Sequence, residues 1–167
     1  MSTLDHKIDF AVILSVTKAN PNGDPLNGNR PRQNYDGRGE ISDVAIKRKI
    51  RNRLQDMGEP IFVQSNDKNT DGYKSLRERA EANSDLQKIL KSKNSSSEEF
   101  AQIACKEWID VRSFGQVFAF KSSGSGSGVS VGVRGPVSIH TATSIDPIDI
   151  VSTQITKSVN SEPGKEK

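Results

Sequence analysis

The sequence predicts a single α+β domain, because apolar residues at strand-like and at helix-like spacing both occur within 167 residues. Residues 8–16 are rich in branched apolar side chains and are short for a helix, which favours a buried strand. Further along, four apolar side chains recur every three or four positions and predict one face of a helix. These are Ile46, Ile50, Leu54 and Met57.

Composition excludes several classes of function. The single cysteine, Cys105, can form neither an internal disulfide nor a cysteine cage for zinc. Two histidines provide little material for a metal site or a catalytic triad. The chain has no apolar run of the roughly 18 residues that cross a bilayer, and it has no signal-peptide pattern at its start. We therefore expect a cytoplasmic binding module with no membrane partner.

A long loop connects the predicted strand to the predicted helix. Residues 19–32 contain three prolines and two glycines, which exclude a regular element and indicate a structured or functional loop. Ser42 is a typical N-cap and Asp43 is favourable in a first helical turn. Gly58 and Pro60 are expected to end this helix, and a short strand is predicted to follow at Ile61–Gln64.

The middle of the chain is polar. Residues 65–97 contain few apolar side chains and predict an insertion with weak helical structure. A second helix is predicted to begin at Ser97, followed by two glutamates and by apolar residues at helical spacing. These are Phe100, Ile103, Ala104, Trp108 and Val111. Cys105 lies inside this helix and is interpreted as a small packing residue.

The last third of the chain predicts β-structure. Arg112–Phe120 is interpreted as a strand, and the glycine and serine residues of Ser122–Gly128 predict a flexible segment. The alternating valines after residue 128 predict a hairpin or a projecting arm. Ile148–Thr156 is interpreted as another strand, and residues 160–167 form a polar tail.

Positive charge is concentrated in one segment. Residues 30–53 contain eight basic and three acidic side chains, so this segment carries +5 and the remaining chain −2 of the net +3. Such a distribution is typical of a polyanion-binding surface, although a solvated helix face would produce it as well. The basic residues are Arg30, Arg32, Arg38, Lys47, Arg48, Lys49, Arg51 and Arg53.

The spacing of the basic residues along the predicted helix favours a polyanion-binding surface. Lys47 and Arg51 are four residues apart and are expected to form a column of like charges, which an external phosphate would stabilise. The helix N-terminus at Ser42 offers free backbone N–H groups to an anion. Few aromatic side chains are expected to be exposed, so we predict contact with the nucleic-acid backbone and little reading of bases.

Catalytic interpretations are weaker. Asp24 and Asp36 lie in loops rich in proline or glycine, where aspartate is usually a turn former. His140 has no acidic residue at a recognisable spacing. The Asn20–Gly23 segment matches neither a phosphate-binding Walker loop nor a dinucleotide fingerprint. The sequence therefore predicts no catalytic residue, no metal ligand and no cofactor.

A set of motifs carries a family resemblance. The motifs are Asn20–Pro25, Gly28–Arg32, Gly37–Gly39, Ser42–Arg51, Asp110–Phe118, Arg134–Ile139, Asp146–Pro147 and Thr153–Ser158. Together they resemble the N-terminal part of the backbone subunit of the type I-C CRISPR Cascade complex, a guide-RNA-binding protein of the RAMP superfamily. The resemblance covers most of the chain except its polar middle and its glycine-serine segment.

This resemblance implies a modified ferredoxin-like palm of the RNA-recognition-motif (RRM) type. Within a single domain at 1–167, it implies a fingers-like insertion at 65–97 and a thumb-like hairpin at 129–150. Family members continue with a strand, a helix and a strand that complete the palm. We expect this chain to lack those three elements, because it stops at Lys167 shortly after the last motif. Whether the chain is truncated remains open at this point.

The resemblance also implies a non-catalytic function in antiviral defence. Such a subunit holds the guide RNA backbone for pairing with target DNA, and it assembles with further copies of itself in a filament and with other Cascade subunits. The implied RNA-binding residues are Asn22, Arg30, Arg32, Ser42, Lys47, Arg48, Lys49 and Arg134.

Two alternatives remain open. Some relatives of such subunits cut RNA with a loop aspartate, which would make Asp24 or Asp36 part of a metal-dependent endoribonuclease. The chain could also be a protein-interaction fragment whose basic helix binds an acidic partner.

Overall fold

The computed structural model describes residues 4–91, 96–120 and 129–159. The predicted flexible segment Ser122–Gly128 and the predicted tail at 160–167 lie outside these residues. The chain divides into two compact units, of which the first comprises 1–41 with 143–167 and the second comprises 42–142. Helices together with small sheets are compatible with the predicted α+β class.

The first unit shows that the proline-rich loop is structured, but the prediction that it contains no regular element is wrong. Strand β1 (Gly23–Asp24) pairs antiparallel with β2 (Arg30–Pro31) around a 3-10 turn at Pro25–Asn27. The Asp24 carboxylate caps this turn by accepting a hydrogen bond of 3.2 Å from the Leu26 N–H. Strand β3 (Arg38–Ile41) pairs with β6 (Ala142–Pro147).

The second unit contains five helices and a β-hairpin in its described residues. The helices are α1 (Asp43–Asp56), α2 (Leu76–Ala82), α3 (Ser84–Lys91), α4 (Ser97–Glu107) and α5 (Ile109–Phe114). Strand β4 (Gly115–Phe120) pairs antiparallel with β5 (Val129–Arg134). None of the helices in the described ranges is both long and apolar enough to cross a membrane.

Aromatic side chains form the centre of the second unit's core. The Phe62 ring centroid lies 4.6 Å from that of Trp108 and 4.9 Å from that of Phe118, and Phe118 contacts Phe100 at 4.9 Å. The polar middle of the chain contributes buried apolar side chains from α2 and α3, so it packs into this core. Cys105 packs against the same core, and burial raises the pKa of its thiol, as expected for a packing residue.

An ion pair made by a buried arginine explains how the polar middle is attached to the core. Arg79 on α2 is only 5% exposed. Its guanidinium donates two hydrogen bonds, of 2.6 and 2.8 Å, to the Asp71 carboxylate and one of 2.8 Å to the Phe62 carbonyl. The Arg79 hydrogen bonds lower the pKa of Asp71, because they stabilise its ionised form.

This pair predicts a pH dependence of stability. The folded-state pKa of Asp71 is below its usual 3.8. The stabilisation of the folded state by the ionised Asp71 is therefore present above that pH, and it is lost as the pH falls through the folded-state pKa. We expect Asp71→Asn to lower the free energy of unfolding at neutral pH, and we expect its difference from wild type to shrink on acidification below about pH 4. Urea titrations at a series of pH values measure this difference. A difference that stayed constant with pH would contradict the assignment.

The predicted strand at residues 8–16 is wrong. This segment has no strand pairing within the described residues, and its large apolar side chains are exposed. A strand is stabilised by backbone hydrogen bonds to a neighbour, and the described residues provide no neighbour for this segment. The predicted strand at Ile148–Thr156 is wrong for the same reason, although the Ile148 N–H donates to the Gly37 carbonyl at 2.9 Å.

Two other predicted strands differ from the structure, each for its own reason. Ile61–Gln64 is not a strand, since the N–H groups of Phe62 and Val63 bond to the Asp110 carboxylate. The first part of the predicted strand Arg112–Phe120 is helical, and β4 begins only at Gly115. Gly115 has a φ of 77°, which allows the backbone to leave α5 at this point.

Two glycines allow the backbone to pack closely at the end of the hairpin where β4 begins and β5 ends. A Cβ atom on Gly135 would overlap the carbonyl oxygen of Ser113, and one on Gly115 would overlap the carbonyl oxygen of Val133. Gly132 differs from both, because a Cβ atom there would meet nothing within 4 Å. This close backbone packing therefore depends on the absence of a side chain at Gly115 and at Gly135.

We expect Gly135→Ala to lower the free energy of unfolding by about 1–3 kcal/mol, because its Cβ must displace backbone atoms. Gly132→Ala is the matched control and is expected to change stability by less than about 0.5 kcal/mol. Chemical denaturation measures both variants. Equal stabilities of the two variants would contradict the close backbone packing.

Candidate nucleic-acid interface

Helix α1 carries most of the predicted site and begins where the sequence predicts. The Ser42 hydroxyl accepts a hydrogen bond of 3.3 Å from the Ala45 N–H, and Asp43 lies in the first turn. None of the residues of α1 is fully buried, and Met57 just beyond it is 65% exposed. The apolar stripe of α1 is therefore only half-buried, so polar contacts contribute substantially to its attachment.

Three basic side chains of α1 have acceptors within the second unit. The Arg51 Nε donates to the Asp110 carboxylate at 2.9 Å, and the Arg48 guanidinium donates to the Val63 carbonyl at 2.7 Å. Lys47 forms an ion pair of 3.1 Å with Asp43, one helical turn before it. The predicted column of like charges at Lys47 and Arg51 is therefore neutralised within the chain, because each side chain pairs with a carboxylate.

The electrostatics of these residues follow from their surroundings. The Lys47 ammonium lowers the pKa of Asp43, since its hydrogen bond stabilises the carboxylate. Burial and the neighbouring Arg51 charge lower the pKa of the Arg48 guanidinium. Arg51 also lies over the Phe114 ring, 5.1 Å from its centroid, which stabilises the cation on the protein side.

Two other basic side chains of α1 remain exposed. Lys49 and Arg53 are four residues apart, so they lie on the same face of the helix. Among the described residues, neither side chain forms an ion pair or a hydrogen bond. We call this pair the Lys49–Arg53 column. Arg53 was not among the RNA-binding residues implied by the resemblance, although its spacing from Lys49 indicated it.

The loop residues of the predicted site lie in the first unit. Arg30 is exposed and donates a hydrogen bond of 2.6 Å to the Ser152 hydroxyl. The half-buried Arg32 guanidinium lies 3.9 Å from the Asp24 carboxylate, and its buried Nε has no hydrogen-bond partner in the described residues. The Asn22 carbonyl accepts a hydrogen bond of 3.1 Å from the Arg32 N–H, so these two residues are neighbours.

The remaining predicted site residue lies at the end of the hairpin. Arg134 is exposed on β5, where it pairs in register with Gly115. The predicted site therefore consists of three groups on different elements. They are Ser42, Lys47, Arg48 and Lys49 at α1; Asn22, Arg30 and Arg32 in or directly beside the β1–β2 hairpin; and Arg134 on β5.

The loop aspartates have structural contacts. Asp24 caps the 3-10 turn described above. The exposed Asp36 lies in a turn in which its own N–H and that of Arg38 donate to the Asn34 side-chain oxygen at 3.0 and 2.9 Å. Both positions fit the turn-forming interpretation.

Comparison with known proteins identifies the family. The family model of CRISPR-associated protein Cas7 matches residues 6–167. The chain belongs to the Cas7 family. A curated relative from Haloferax volcanii, named CRISPR-associated protein Cas7, is 32% identical over 124 residues, which cover 74% of this chain.

Membership of the Cas7 family confirms the resemblance to a CRISPR-associated protein. The Cas7 match includes α1, the β1–β2 hairpin and β5, and therefore all three groups of the predicted site. The aligned residues span 35% of the length of the Haloferax volcanii Cas7 protein.

The ion pair at the start of α1 predicts a gain of affinity. Asp43→Asn removes a negative charge beside Lys47, so we expect single-stranded RNA to bind about two- to fivefold more tightly, as the modest energy of an exposed ion pair allows. Asp85→Asn on α3 is the matched control, because Asp85 forms a comparable pair of 2.8 Å with Lys88. Fluorescence anisotropy with a labelled oligonucleotide measures the affinities. Equal changes in both variants would contradict a phosphate-binding site at α1.

Proposed function

We propose that the chain is a non-catalytic backbone subunit of a type I-C Cascade complex in the cytoplasm, and that it binds the guide RNA through its sugar–phosphate chain. The observation that carries this proposal is the Lys49–Arg53 column, which is exposed and has no counter-charge among the described residues. Membership of the Cas7 family supports the same proposal. The guide then pairs with target DNA, and sequence is read by base pairing.

The chemistry of the column suits a phosphate chain. Phosphates that bind to fixed cations release condensed counterions, which favours association regardless of base sequence. Two side chains one helical turn apart lie about 6 Å apart along the axis, so they can contact the same strand. Lys47 and Arg48 are expected to contribute less, since each already has an acceptor within the chain.

The buried aromatic side chains of the core support backbone contact, whereas the expectation of few exposed aromatic rings does not hold for Phe10, Tyr35 and Tyr73. Phe62, Phe100 and Phe118 are fully buried in the core and cannot stack on bases. Recognition by an open sheet usually requires such rings to be exposed on its strands. Phe118 of β4 instead points into the core, so this ring is not available for stacking on a base.

The other predicted residues are proposed RNA contacts as well. Asn22, Arg30 and Arg32 would bind a further part of the guide backbone, and Ser42 would offer backbone N–H groups at the N-terminus of α1. Arg134 would belong to a thumb at 129–150, and α2 and α3 to a fingers-like insertion at 65–97 of an RRM-like palm. The proposed partners are further copies of the chain in a filament and other Cascade subunits.

The proposal predicts a specific change in salt dependence. Each phosphate contact with a single strand contributes about 0.7 to the slope of log affinity against log salt. We expect Lys49→Gln with Arg53→Gln to reduce the slope by about 1.4 and to weaken binding at every salt concentration. Anisotropy titrations at several salt concentrations measure the slope.

Lys74→Gln with Lys106→Gln is the matched control, because both side chains are exposed and lie outside α1. This control changes the net charge by the same amount and is expected to preserve the slope. Circular dichroism verifies that both double variants fold. Equal slopes for the two double variants would overturn the proposed function.

A further inference from the structure

The second unit contains a fully buried carboxylate that connects three segments. Asp110 on α5 is 0% exposed. One of its oxygens accepts a hydrogen bond of 2.7 Å from the Phe62 N–H. The other accepts one of 3.1 Å from the Val63 N–H and one of 2.9 Å from the Arg51 Nε. Asp110 therefore links α5, the segment at 62–63 and α1.

A buried carboxylate requires such donors. An ionised group without partners is strongly destabilised in the interior, whereas two backbone amides and a guanidinium satisfy its charge and its lone pairs. Arg51 is held in return, since its side chain is only 13% exposed and its guanidinium stacks over Phe114. Arg51 is thus part of the protein interior and is not available to a ligand in this conformation.

Arg48 reinforces the same attachment. It lies three residues before Arg51, on the same side of α1, and it donates to the carbonyl of Val63. The N–H of that residue bonds to Asp110, so both arginines of α1 are attached to one short segment. With 3.6 residues per turn, the midpoint of the Lys49–Arg53 column lies roughly 150° around the helix from the midpoint of the two arginines.

We propose that Asp110 is a positioning residue for RNA binding and that Arg51 is its intermediary rather than an RNA ligand. By holding Arg51 against the core, Asp110 sets the rotation of α1 and directs the Lys49–Arg53 column outward. Because α1 has no fully buried residue, apolar packing alone holds this rotation weakly. The inference rests on the proposed RNA-binding function and adds to it the residue that orients the site.

A double-mutant cycle tests this inference on the full chain. Arg51→Lys keeps the charge but loses the contact of Nε with Asp110 and the stacking on Phe114. Asp110→Asn keeps the shape and removes the charge. We expect each substitution to weaken single-stranded RNA binding about tenfold in the wild-type background, and less than about twofold when Lys49→Gln and Arg53→Gln are present.

Arg51→Lys keeps the test decisive if Asp110→Asn does not fold, and circular dichroism verifies folding of each variant. If Arg51 were a phosphate ligand, Arg51→Lys would retain binding, because lysine also binds phosphate. Equal losses in both backgrounds, retained binding by Arg51→Lys, or tighter binding by Asp110→Asn would overturn the inference alone. Absence of RNA binding by the wild-type chain would overturn the proposed function and this inference together.

Discussion

The carboxylate of Asp110 and its three donors are the interaction on which the arrangement of the second unit depends. A buried charge must be satisfied, and here the donors come from the backbone at Phe62 and Val63 and from Arg51. The same contact replaces the neighbouring strand that residues 61–64 would otherwise need. It also attaches α1, whose apolar stripe is only half-buried, to the core. The packing of the second unit and the attachment of α1, which carries the candidate site, therefore depend on the same hydrogen bonds to Asp110.

The basic residues of α1 consequently divide into two classes. Lys47, Arg48 and Arg51 have acceptors within the chain, whereas Lys49 and Arg53 are exposed to solvent without a counter-charge in the described part of the chain. A surface that combines an anchored side with a cationic side can bind a phosphate chain without rearranging the helix. The buried aromatic core is compatible with the proposed contact to a sugar–phosphate chain, because the core rings cannot stack on bases.

Local patterns in the sequence predicted the parts of the fold that local interactions determine. The cap at Ser42 and the apolar spacing after it predicted α1, and Ser97 with its following glutamates predicted α4. Long-range contacts could not be predicted in this way. The link between Arg51 and Asp110 joins residues 59 positions apart, and nothing near either residue indicates it. Residues 8–16 have the composition of a strand, but pairing depends on a partner that composition does not specify.

Arginine-specific chemical modification with phenylglyoxal, read by mass spectrometry with and without single-stranded RNA, tests the division of α1 most directly. We expect Arg53 to react in the free chain and to be protected when RNA binds, whereas Arg51 is unreactive in both states. Reaction of Arg51 in the free chain, together with its protection by RNA and an unprotected Arg53, would contradict the account.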